Sequence, residues 1–346
     1  MLYWDLCGFT TFNPPAPKDF RMVNGRKILN ISDNRDDPDK PFASRQGQWY
    51  KIDYANLKFS KSREGNTDLF VWETPGGNVT ARRHMNHMTE YPVKTLDDIP
   101  LWNYIQKNLV FGARSDFTPE DAGKCWLINF KWSPVQELLQ FDTGVENFYY
   151  FLADARDEME SLMATMHEKN LEALEIGLGL CHNATVIYLG ENTSSRIISP
   201  SYYRRYSLPH IGDYTALAHN NGKRFIVHMC GALNALLDCF KETGMDGIQS
   251  VTPPPLGDTY YMTVREKFSQ DFTIIGRLNT QLWVDRTDEQ IFETLEDFIP
   301  ERLIHTPFCL LITPDGLQPT CENVLSLTDA LGKFNEKYTG IAFNTS

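Results

Sequence analysis

Arg224-Phe225-Ile226-Val227-His228-Met229-Cys230-Gly231 is an apolar run that closes on an imidazole, a thiol and a glycine. Residues two apart in a strand project to the same side, so a strand ending here presents His228 and Cys230 together from its last turn. That is half of a zinc site, because zinc takes nitrogen and sulfur donors. A helical pattern follows at once. Leu233, Leu236, Leu237 and Phe240 recur at 0, 3, 4 and 7, and Gly244 supplies a stop.

Outward from this unit the same alternation repeats. Short apolar runs read as strands at Trp126-Leu127-Ile128-Asn129-Phe130, at 185–189, at 247–251, at 272–276 and at 308–312. A second clear helix carries Val324, Leu327, Leu331 and Phe334 behind a capping Thr320. Six strand-helix units without a glycine-rich dinucleotide fingerprint predict parallel strands and a closed (β/α)8 TIM barrel rather than an open doubly wound sheet. The expected organisation is one barrel domain over residues 1–346, with 1–65 an irregular N-terminal segment. Residues 68–73 and 78–82 around Pro75-Gly76-Gly77 read as a hairpin.

Composition narrows the function classes. The chain has 346 residues, with 33 basic against 45 acidic side chains and a net charge of -12, which disfavours a phosphate-backbone binder, so no nucleic acid is expected. No apolar stretch reaches the roughly 20 residues that span a bilayer, and the first residues lack the basic flank and apolar run of a secretory signal. Seven cysteines without regular spacing read as free thiols. The expectation is a cytoplasmic protein with no membrane partner.

Several of these stretches resemble the uroporphyrinogen decarboxylase superfamily. They are Gly190-Glu191-Asn192 before Ile198-Ser199-Pro200, Gly222-Lys223 leading into His228-Met229-Cys230-Gly231, Gly244-Met245-Asp246-Gly247 before Pro253-Pro254-Pro255-Leu256-Gly257-Asp258, and Pro319-Thr320-Cys321-Glu322-Asn323. The likeness spans about residues 65 to 340. Its His-x-Cys pair is similar to the signature of the zinc- and corrinoid-dependent methyltransferase branch, whereas the Gln-Ala-Gly-Arg string of the decarboxylases does not occur. The resemblance implies a (β/α)8 barrel, and barrels of this kind gather their chemistry at the C-terminal ends of the strands.

That rule selects further ligands. Glu191 closes the strand at 185–189, and Asp315 lies just beyond the strand at 308–312, in Thr313-Pro314-Asp315-Gly316-Leu317. Related methyltransferases carry a second cysteine in that last loop, and Asp315 stands nearest its position. The expected zinc site is therefore His228, Cys230 and a carboxylate from Asp315 or Glu191, with a fourth position open for substrate. Cys309 reads as a buried thiol, and Cys321 is a weaker substitute ligand. His84 and His87 read as surface residues.

The resemblance implies a methyltransferase. It would demethylate a methyl ether and pass the methyl group to Co(I) of a corrinoid (cobalamin) held by a carrier protein. Carboxylate ligation favours an oxygen-bound substrate, because it leaves zinc the stronger Lewis acid. Trp126, Phe130, Trp132 and Tyr202 suit a flat methoxylated aromatic, with Asn129 and Asn279 at strand ends to orient it. The alternatives are a methylcobalamin:thiol methyltransferase, and a decarboxylase-like or tetrapyrrole-binding barrel. The partners expected are the corrinoid carrier, a small methylated substrate and, as an open alternative to a monomer, a second copy in a homodimer. No Asp-x-His-x-x-Gly string occurs, so the chain reads as the carrier's partner rather than the carrier.

Overall fold

The computed structural model describes residues 2–4, 20–23, 26–29, 50–85, 87–113, 127–130, 132–180, 184–312 and 319–340. Their contacts gather into two compact units. The first comprises Met1–Gly47, Ser194–Arg196 and Ile226–Ser346, and the second Gln48–Thr193 and Ile197–Phe225.

Parallel strands build the first unit. Ile226 in Arg224–His228 stands opposite Gly247 of Gly247–Val251, Ile248 opposite Ile274 of Thr273–Leu278, and Ile274 opposite Phe308 of Phe308–Ile312. Ile248, Val251, Ile274, Ile275 and Leu310 are buried, as strands covered on both faces require. Strand Leu2–Trp4 lies parallel beside Phe308–Ile312, with Leu2 opposite Cys309. The segment expected to be irregular thus opens on a strand of the parallel set. Three residues are too few for periodicity to reveal it. Phe20–Val23 and Arg26–Leu29 pair antiparallel.

The helix after the His-x-Cys turn departs from its pattern. It begins as a 3-10 turn, Asn234–Leu236, and becomes α-helical only over Leu237–Glu242. The Asp258 carboxylate accepts from the backbone N–H groups of Leu233 (2.7 Å) and Asn234 (3.2 Å), and this anchor tightens the first turn. All four periodic residues are buried nonetheless. The last helix, Cys321–Thr339, starts as expected at Thr320, whose hydroxyl accepts from the Asn323 N–H while the Asn323 side chain accepts from the Thr320 N–H. Gly340 ends it at φ 67°.

In the second unit Leu127–Phe130 runs parallel to Val186–Gly190, and the Arg224 N–H reaches the Thr185 carbonyl at 3.0 Å. The expected hairpin is present as Thr67–Thr74 and Gly77–His84. It belongs to a larger antiparallel sheet, flanked by Lys58–Glu64 and His87–Glu90. Ordered strands therefore begin before residue 65, and Tyr50–Tyr54 pairs with Leu109–Ala113. The all-exposed Lys58–Glu64 strand has no buried face, so it shows no apolar alternation to read. Helix Asp98–Lys107 covers the sheet, with Trp102 edge-on to Trp72 at 5.1 Å and its indole N–H on Asp142 Oδ2 at 2.8 Å. Among the described residues no helix is long and apolar enough to cross a membrane.

Candidate functional site

His228 is the last residue of its strand, and its register partner is Gln249. The two side chains meet: His228 Nδ1 lies 2.5 Å from Gln249 Oε1. An amide oxygen only accepts, so Nδ1 carries the hydrogen and Nε2 carries the lone pair. Burial lowers the imidazole's pKa, opposed by the Gln249 bond and reinforced by the nearby Arg277 charge. A neutral ring with its tautomer set by an amide is what a metal ligand requires. Gln249 was not among the residues expected from sequence. The available signal was a lone amide inside the apolar Gly247-Ile248-Gln249-Ser250-Val251 strand.

Cys230 follows with intermediate exposure, its sulfur in no disulfide. The turn that presents it is held on several sides. Gly231 sits at φ 87°, and a Cβ there would meet Ser194 at 3.2 Å. The Ser195 N–H (2.9 Å) and hydroxyl (3.0 Å) both donate to the Ala232 carbonyl. A Cβ at Gly257 would fall 2.8 Å from the Gly231 carbonyl and 1.9 Å from that of Thr252, so the segment 253–257 lies directly against the thiol's turn. Asp258, one residue on, supplies the helix anchor already described.

Right after Gln249 its own strand bulges. Ser250 adopts φ 75°, and the register shifts between Gln249 and Val251. Its hydroxyl is buried and finds no hydrogen-bond partner among the described residues. One strand further, Asn279 follows Leu278 with 0 % exposure, and among the described residues neither its amide oxygen nor its amide nitrogen has a partner. The buried indole N–H of Trp283, at the end of the same turn, likewise has no partner among them. Such groups are uncommon, since each costs roughly 1–3 kcal/mol when left unsatisfied.

The second unit holds the remaining expected residues. Glu191, one residue past Val186–Gly190, is fully buried. Thr193 donates its hydroxyl to Glu191 Oε1 at 2.6 Å, Ser133 also hydrogen-bonds the carboxylate, and Oε2 is unpaired. Burial pushes its pKa up to about 7 against those two bonds. The Trp132 ring lies across Gly190, where a Cβ would approach it to 2.7 Å, and tilts against Phe141 at 5.9 Å. Tyr202 meets Tyr149 edge-on at 5.7 Å and Tyr206 at 5.6 Å. Among the described residues no ring contact joins Trp132 to Tyr202.

Trp126 and Asp315 lie outside the described residues. Asn129 and Phe130 occupy the strand Leu127–Phe130. Cys309 is buried, and Cys321 opens the last helix. His84 and His87 are exposed register partners, in accord with a surface role. Among the described residues no group of three or more His, Cys, Asp and Glu side chains is gathered to hold a metal ion. His228 and Cys230 fit zinc by chemistry, as a neutral nitrogen donor and a sulfur donor two residues apart.

The uroporphyrinogen decarboxylase (URO-D) family model matches residues 123–308, more than half of the chain. The chain belongs to the uroporphyrinogen decarboxylase family. No curated protein sequence matches it. Among solved structures it is similar to a methyltransferase from Methanosarcina mazei, with 15 % identity over 71 % of this chain and 72 % of that one and a TM-score of 0.50. D-psicose 3-epimerase aligns at 8 % identity over 70 % of this chain and 94 % of that one, with a TM-score of only 0.34. Family and shared fold together imply the TIM barrel expected from the alternating strands and helices. Within the uroporphyrinogen decarboxylase family frame, His228 ends its parallel strand and Asn279 directly follows another, on the side where barrel chemistry gathers, while Gln249 sits mid-strand opposite His228.

Proposed function

We propose that this protein is a zinc-dependent methyltransferase of a corrinoid system, which takes the methyl group of a methyl ether, a methoxylated aromatic, and delivers it to Co(I) of a corrinoid carrier protein. The observation that carries the reading is the His228–Gln249 pair closing the strand that leads to Cys230. The resemblance to the methyltransferase branch of the family, and the fold shared with a methyltransferase, support it.

His228 offers Nε2 because Gln249 holds the proton on Nδ1, and Cys230 offers sulfur from a turn held by Ser195, Gly257 and Asp258. Asp315 is the third ligand by this reading. Bound zinc supplies Lewis acidity towards an ether oxygen, which makes the attached methyl a better electrophile. The protein's own work is to keep the imidazole neutral and oriented and to hold the thiol beside it. Orientation of this kind is worth 10- to 100-fold in metal affinity or activity.

Metal content of purified protein tests the proposal. About one zinc per chain is expected, lost in His228→Ala and Cys230→Ala, and the carboxylate variant that loses it, Asp315→Ala or Glu191→Gln, names the third ligand. Freshly prepared, unchelated protein without zinc would sink the mechanism.

A further inference from the structure

Unpaired polar groups of the first unit stand on, or just past, its parallel strands. Asn279 is wholly buried, immediately past the Thr273–Leu278 strand, and both ends of its carboxamide lack a partner among the described residues. Its backbone is occupied: the carbonyl accepts from the Leu282 N–H at 3.0 Å, which closes the 3-10 turn Thr280–Leu282 and leaves the side chain uninvolved in capping. An Asn at the start of such a turn commonly caps it through its own oxygen, and this one does not.

A leucine at this position would carry the same branched skeleton of side-chain heavy atoms without the desolvation penalty of a polar group. Two further unpaired groups accompany it, the Trp283 indole N–H on the same turn and the Ser250 hydroxyl on the bulge of the adjacent strand. None of these side chains carries a charge.

We infer that Asn279 is the specificity-determining residue for a substrate bearing a neutral group with a hydrogen-bond donor and an acceptor side by side, as in a carboxamide. Its Oδ1 accepts from the ligand's N–H and its Nδ2 donates to the ligand's carbonyl oxygen. A carboxylate satisfies only Nδ2 and turns its second oxygen against Oδ1, so the acid is rejected where the amide is taken. The inference rests on the methyl-ether reading above and adds the chemistry of the ring's other substituent.

Equilibrium binding of 4-methoxybenzamide, 4-methoxybenzoate and methoxybenzene to the full chain tests it, with zinc content measured on the same preparations. Wild type is expected to prefer the amide over both others by about 10- to 100-fold, the yield of two neutral hydrogen bonds. Asn279→Leu should bind all three within about threefold of one another, the residual that mere loss of hydrogen bonding leaves. Asn279→Asp should lose the amide preference without gaining the benzoate. Equal affinity for the three ligands in wild type, or an amide preference that survives in Asn279→Leu, overturns the inference and leaves Asn279 served by internal water alone. Binding needs no methyl transfer, so an amide preference in a protein devoid of zinc would uphold the inference while refuting the proposed function.

Discussion

Asp68 and Asn279 are both buried polar side chains, 1 % and 0 % exposed, and they meet burial in opposite ways. Asp68 sits in the antiparallel sheet of the second unit, ringed by Arg63 at 2.5 and 3.0 Å, Arg83 at 3.0 Å and Lys61 at 3.2 Å. The Phe70 ring lies between Lys61 and Arg83, 5.4 Å from each. The hydrogen bonds from Arg63 and Arg83 hold the carboxyl well below the usual carboxylate range. The Asn279 carboxamide, just past a parallel strand in the first unit, has no partner among the described residues. Neighbouring cations complete the Asp68 carboxylate, whereas the Asn279 carboxamide is left for a ligand to complete.

The largest expected effect comes from removing a completed bond on the functional side. Gln249→Leu takes away the acceptor that fixes the His228 tautomer. Zinc affinity measured by competition with a chelator should fall 10- to 100-fold while thermal unfolding stays near wild type. Unchanged affinity would reduce Gln249 to a packing residue and weaken the contrast drawn above.

A half-completed cluster in the second unit gives an intermediate effect. His210 stacks on His167 at 4.3 Å, and its Nδ1 has no partner. Burial, with the neighbouring His167, lowers its pKa to about 3. The unfolded chain binds that proton near pH 6.5 and the folded chain does not, so stability is full above pH 6.5 and is lost as pH falls towards 3. Between pH 7 and pH 5 the loss from this group is about 2 kcal/mol. His210→Phe keeps the stack and should flatten that part of a denaturant-midpoint profile. A slope that persists in the variant would assign it to other groups.

The closed cluster should touch function least. Asp68→Asn removes the charge that three cations share, so the melting midpoint falls. Zinc content and amide preference are expected to stay at wild-type values. A loss of either would mean that the sheet's polar cluster acts on the site and that the two regions are not separate in purpose.

Legibility of the fold followed burial. Strands Gly247–Val251 and Phe308–Ile312 were readable to the residue because they are short, largely buried runs set between polar turns. The capped helix Cys321–Thr339 was readable from Thr320 and a sustained 3.6 period. Strands Leu2–Trp4 and Lys58–Glu64 were not, the first for its length and the second for its wholly exposed face. Of the site, His228 and Cys230 were legible through their spacing, and Asn279 through its place after a strand.

The sequence alone therefore determined the α/β class, the parallel strands and the nitrogen–sulfur pair, because these depend on residues near one another in the chain, where period and spacing are visible. Only the tertiary structure decided that Gln249, 21 residues from His228, sets its tautomer. Only it decided that Asp258 holds the turn behind Cys230, and that Asn279 is left without a partner. Those are facts of strand register and loop contact between distant segments, and no local pattern encodes which neighbour a buried polar group will find.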